Sequence, residues 1–173
     1  MPLNTNDVEA RMRSLVTLIR AGNCLTVVLS TWLGMHGVER NGVRHKLIDR
    51  GTREITQHEA DSLDLATGAS LPYRRGELWA DLAGASVRIA TANALVVMHR
   101  LPFEVIQLLE RIPLGVALQP YGVCRDTAPP RYSWTPDSVT GPRLVVSLTA
   151  TLHVGGRPWA LTDETIDQSI VDH

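Results

Sequence analysis

The chain has 173 residues, 44% of them hydrophobic, with 17 basic against 18 acidic side chains and a formal net charge of −1. That length suits one domain, residues 1–173, with a sizeable core, and the balanced charge leaves no cation surplus to neutralise a phosphate backbone, so no nucleic acid partner is expected. No apolar run approaches the ~20 residues of a membrane span, and the N-terminus lacks the charged-then-apolar start of a secretion signal, so a cytoplasmic protein with no membrane partner is expected.

Asn6 or Asp7 can cap a first helix reaching Arg20, because Val8, Met12, Leu15, Val16 and Ile19 recur at helical spacing. Gly22-Asn23 ends it. Residues 24–33 are apolar and rich in β-branched side chains, which fits a strand or a buried helix; helix is favoured. Residues 43–50 read as an edge strand in which His45 and Lys46 are solvated. Thr56 to Glu59 has the form of a capped helix start within residues 55–65. Residues 66–70 form a loop.

Residues 73–82 and 86–98 read as a hairpin turning at Ala83-Gly84-Ala85. Pro102 then opens a short amphipathic helix, residues 103–109, since a missing N–H costs nothing in a first turn. Ile112-Pro113-Leu114-Gly115 follows as a turn, and residues 119–125 as a strand. Proline interrupts residues 126–142, so that stretch is mostly loop, with a short strand at 132–134. Residues 144–154 alternate apolar and polar with period two, the signature of a half-buried strand. Gly155-Gly156 turns the chain into a last strand, 159–166, and a polar tail from Asp167 is expected to fray. Hairpins of this kind imply an α+β fold: a single antiparallel β-sheet with helices packed on one face and an enclosed ligand pocket.

The sequence contains no phosphate-binding glycine loop, zinc-protease motif or nucleophile elbow. Its six histidines have no ligand spacing. No metal and no cofactor are expected. Cys24 and Cys124 stand a hundred residues apart and are read as free, buried thiols; a catalytic Cys24 is the sharper alternative to a core residue. What remains are charges in apolar strands, which must be paired or meet a ligand. Of adjacent Arg74 and Arg75, one must face the inside of the sheet. Arg88 and Glu164 are the other two candidates. Each could instead be a solvated edge charge, or an arginine could simply pair with Glu164. An inward arginine beside an apolar cavity, however, holds a carboxylate with its planar fork.

Four patches carry a resemblance. They are residues 18–29; Arg75-Gly76-Glu77-Leu78-Trp79; Arg100-Leu101-Pro102 with Ile112-Pro113-Leu114-Gly115; and Gly155-Gly156-Arg157-Pro158-Trp159 on to Glu164. In order and spacing the chain resembles the chorismate pyruvate-lyase family, especially its actinobacterial 4-hydroxybenzoate-forming branch. The resemblance implies a cofactor-independent lyase that eliminates pyruvate from chorismate. It implies that Arg75 or Arg74 grips a substrate carboxylate and that Glu164 meets the ring hydroxyl or shuttles a proton. Leu114, with Gly115, would close the pocket and Leu25 would line it, with Trp79 and Arg88 among the substrate-binding residues.

The chain also departs from the family. Val27-Val28 follow Thr26 where a basic residue is usual, and residues 147–151 are neutral where the family is often arginine-rich. Asp163 stands where a neutral residue is expected and should face solvent. A less charged, larger or more apolar ligand is therefore expected. A cofactor-free cyclase of secondary (polyketide) metabolism is the alternative, with Trp32, Trp79, Trp134, Trp159 and Met98 available as pocket walls. A small-acid sensor domain of a regulator is a third reading; one domain already takes up the 173 residues, which weighs against an attached DNA-binding segment. In every case the partner is a small molecule, and the protein is expected to be a monomer or small homo-oligomer.

Overall fold

A computed structural model describes residues 4–38, 42–136 and 141–172. Two helices lead, α1 (Thr5–Ala21) and α2 (Leu25–Met35). The Asn4 side chain accepts from the Asp7 N–H at 2.9 Å and caps α1. The apolar stripe predicted for α1 is its buried face: Val8, Met12, Leu15, Val16 and Ile19. The ambiguous segment after Gly22 is a helix, burying Leu25, Leu29, Trp32 and Leu33.

The rest alternates strands with short helices: β1 (Arg44–Glu54), α3 (Gln57–Leu63), β2 (Ser70–Leu82), β3 (Ala85–Val96), α4 (Phe103–Leu108) and α5 (Leu114–Leu118). Then come β4 (Cys124–Thr127), β5 (Arg131–Thr135), β6 (Arg143–Val154) and β7 (Arg157–Asp167). All pairs are antiparallel, in the order β1-β2-β3-β7-β6-β4, and β5 shares with β4 the outer edge of β6. β1 is an edge strand, as the sequence indicates. Thr56 and Glu59 complete a capping box at the start of α3. Ala83 and Gly84 both take positive φ (51° and 83°), the two-residue turn whose twist suits a hairpin.

Helices α1, α2, α4 and α5 cover one sheet face, and α3 alone packs on the other, over Leu71, Leu95 and Leu161. The covered face holds two apolar clusters. One joins α1 and α2 to Leu78, Ile89, Leu148 and Ile166. The other joins α4 and α5 to Ala94, Leu152 and Ala160. The seam between them is where the site lies.

Four expectations are corrected. The segment after Pro113 is not a turn but α5, which buries Ala117 and Leu118. Residues 119–121 form a 3-10 turn rather than strand, so β4 begins only at Cys124. Cys124 is exposed rather than buried. The tail does not fray: Ile170 and Val171 are 1% exposed, and Trp32 donates its indole N–H to the Ile170 carbonyl at 3.2 Å. Residues 137–140 of the expected loop lie outside the described residues.

Candidate ligand-binding site

Alternation along β2 separates the two arginines. Arg74, Gly76 and Leu78 face the helices, whereas Arg75 is exposed on the opposite face. The guanidinium of Arg74 is therefore the one the fold buries, at 8% exposure. Its Nη2 donates to the Ile112 carbonyl at 3.3 Å, but Nη1 has no hydrogen-bond partner. Burial lowers its pKa, and no carboxylate pairs with it among the described residues. A buried cation in that condition costs free energy unless a ligand completes it.

Arg74 lines a cavity of about 60 Å3 under the helices. That is room for a few waters. The floor is unusually small-grained: Gly76, Ala92 and Ala94 stand where leucines and isoleucines fill neighbouring parts of the sheet. The roof is two helix starts. Leu25 and Thr26 open α2, and Leu114 and Gly115 open α5 behind Pro113. These starts can meet closely because residue 115 is glycine, where an added Cβ would lie 3.2 Å from Cys24 Sγ. Cys24 is buried, and burial raises its thiol pKa, the opposite of an activated nucleophile.

Across the cavity stands Glu164, 4% exposed. Arg125 grips it at two points, Nη1 to Oε1 at 2.8 Å and Nη2 to Oε2 at 2.5 Å. The side chains in this pair are only 2% and 4% exposed. The Thr162 hydroxyl donates to Glu164 Oε1 at 3.1 Å. An arginine thus does pair with Glu164, and it is Arg125, a residue the sequence did not single out. On the sheet, Arg74 sits beside Ala94 and Ala94 beside Thr162, while Gly76 sits beside Ala92 and Ala92 beside Glu164. At ~4.8 Å between strands and ~3.4 Å per residue along them, the Cα atoms of Arg74 and Glu164 stand about 12 Å apart across the alanine floor.

His45 was expected to be solvated, but it lines the cavity. The reason is Gly76: a Cβ there would fall 2.5 Å from His45 Nε2, so only glycine leaves the imidazole its place. Burial first, then the Arg74 charge, push the imidazole below its ordinary pKa.

The structure brings together Arg74, Leu25, Leu114, Gly115 and Glu164 and excludes the rest. Arg75 is turned outward by alternation. Trp79 and Arg88 lie outside the cavity, where both bond to Glu77, at 3.0 and 3.3 Å. None of the four tryptophans lines the cavity. Trp32 is core, Trp134 is 41% exposed, and Trp159 packs on Tyr121. Met98 faces an adjacent, more open groove. Arg100, in one of the resemblance patches, is a clamp between α3 and β7: it donates to the carbonyls of Leu63, Asp64 and Pro158.

No family model matches the sequence, and no curated protein matches it. Solved structures do. One is the ligand-binding domain of a protein assigned to the GntR family of transcriptional regulators, from Bordetella bronchiseptica, with TM-score 0.54 and 14% identity over 73% of this chain and 85% of that one. Another is YydK of Bacillus subtilis, described as a possible transcriptional regulator, with TM-score 0.52 and 11% identity. The likeness is one of fold. It covers 72% of this chain but only 58% of YydK, so this chain matches about half of that protein. Among the described residues no helix is long and apolar enough to cross a membrane.

Proposed function

We propose that the cavity binds a small cyclic carboxylic acid, with Arg74 as its anchor. The observation that carries this reading is the unpartnered Nη1 of a buried guanidinium whose side chain lines the cavity. A carboxylate would satisfy that donor with a charge-assisted bond in a site of low dielectric. The floor of Ala92 and Ala94 leaves a flat space for a ring, and Glu164 and Thr162 offer polar contacts at its other end. The size of the cavity and the absence of tryptophan walls favour a single ring over a polycyclic cyclase substrate.

The resemblance to chorismate lyases supplies a reaction for such a site. Chorismate would lose its enolpyruvyl group as pyruvate, and the ring would become 4-hydroxybenzoate. Arg74, not Arg75, would take the carboxylate role. Loss of pyruvate aromatises the ring, so the protein would chiefly position the substrate and handle a proton. Glu164 is the group placed for that proton, but its two oxygens are held by Arg125 and Thr162. Binding without turnover is the second reading. It is supported by that occupied carboxylate and by the regulator-domain fold of the neighbours.

Incubating the protein with chorismate, while following pyruvate and 4-hydroxybenzoate, tests the lyase reading. Product formation abolished by Arg74→Met supports it. No product, with 4-hydroxybenzoate still bound in an Arg74-dependent way, leaves the binding reading alone standing. No product and no binding removes both.

A further inference from the structure

The charges around the cavity can be counted. Among the described residues, the acidic and basic side chains lining it besides His45 are those of Arg74, Arg125 and Glu164. Cys24 keeps its proton because burial raises its pKa, and His45 is neutral because burial and Arg74 lower its pKa. Glu164 and Arg125 are bound to each other at two points and cancel. What is left is one positive charge, and it sits at the Arg74 end, where Nη1 is free. The Glu164 end carries carboxylate oxygens behind a neutral floor of alanines, and among the described residues lining the cavity no second cation stands beside them.

From this charge map, resting on the small-acid reading above, we infer that the pocket selects monocarboxylic acids whose far end carries a neutral hydrogen-bond donor, and rejects dianions. One carboxylate neutralises Arg74. A hydroxyl or amino group at the other end donates to Glu164, whose oxygens have lone pairs beyond those used by Arg125 and Thr162. A second carboxylate would instead be desolvated against Glu164 with no cation to meet it, and like charges brought together in such a place are how a site excludes the wrong partner. Chorismate is a dianion. The aromatic mono-acid left after its pyruvate group departs is the better match to this charge count.

The consequence can be read with ring acids of one shape. 4-Hydroxybenzoate and 4-aminobenzoate carry a donor opposite the carboxylate; terephthalate carries a second anion there. Calorimetric titration of the full chain at pH 7.5 is expected to show the first two binding at least about tenfold more tightly than terephthalate. Glu164→Gln leaves two positive charges and should narrow or invert that ratio. The double variant Arg125→Gln, Glu164→Gln returns the count to one and should restore the preference, which keeps the test informative if the single variant folds poorly. Terephthalate binding as tightly as 4-hydroxybenzoate to the natural protein overturns the inference while leaving the Arg74 anchor intact. An unchanged ratio in a folded Glu164→Gln variant also overturns it. Failure of every acid to bind overturns the small-acid reading on which it rests.

Discussion

Arg125 and Glu164 are joined across β6. The arginine is on β4, beside Leu152 of β6, and the glutamate is on β7, beside Leu148 of β6. Their two-point pair, at 2.8 and 2.5 Å, closes one end of the cavity and fixes the outer strand to the centre of the sheet.

Breaking that pair from one side leaves a buried charge alone. Arg125→Ala or Glu164→Ala should each lower the unfolding free energy by about 3–5 kcal/mol. Replacing both at once, as Arg125→Met with Glu164→Leu, should cost far less than the two singles together. Urea unfolding of the four proteins gives the coupling directly. Singles that add to the double would mean that the pair contributes nothing as a pair.

Arg74 should behave in the opposite way. Its charge is buried with no carboxylate partner, so Arg74→Met removes an uncompensated cation. In the absence of ligand that variant should be as stable as the natural protein or more stable, by up to about 2 kcal/mol. A midpoint that falls clearly below the natural one would show that the Arg74 bond to the Ile112 carbonyl matters more than the buried charge.

Gly76 and His45 are a second coupled pair. Gly76→Ala places a methyl 2.5 Å from His45 Nε2, so the imidazole must leave the cavity. The variant should be destabilised by about 1–3 kcal/mol, an overpacking cost. His45→Ala in the same chain should relieve most of it. If the double variant is no more stable than Gly76→Ala alone, the clash is with the backbone rather than the ring.

The His45 pKa gives a pH dependence with a definite sign. The imidazole is pushed down in the folded protein, so the unfolded chain binds its proton more readily. Stability from this group is complete above the ordinary histidine range, near 6.5, and is lost as the pH falls below it toward the lowered folded value. An acid bound at Arg74 cancels the charge that adds to burial in lowering the His45 pKa, and should be accompanied by proton uptake. Calorimetry of 4-hydroxybenzoate binding near pH 6 in buffers of different ionisation enthalpy measures that proton, and His45→Gln should remove it.

Much of this site can be read in the sequence, and the exceptions have physical causes. Strand alternation requires one of Arg74 and Arg75 to face inward, but the choice depends on register against β3, which pairs Arg74 with Ala94 and Arg75 with Asn93. Glu164 stands out because it follows an apolar run. Arg125 does not, because its partner lies 39 residues away and becomes a neighbour only through the order β7-β6-β4. His45 sits in an imperfect alternation on an edge strand and reads as solvated; Gly76, on the next strand, is what admits it. A glycine after Pro113-Leu114 suggests a turn, yet there it lets α5 approach Cys24. The tail looks polar by composition, and Ile170 and Val171 bury themselves under α1 and α2 all the same.

The measurement that bears most directly on the account is titration of 4-hydroxybenzoate into the natural protein, Arg74→Met and Arg75→Met. The buried arginine should govern binding: Arg74→Met weakened at least about 100-fold, Arg75→Met within about twofold of the natural protein. Equal binding by the natural protein and Arg74→Met, or loss of binding in Arg75→Met alone, would contradict it.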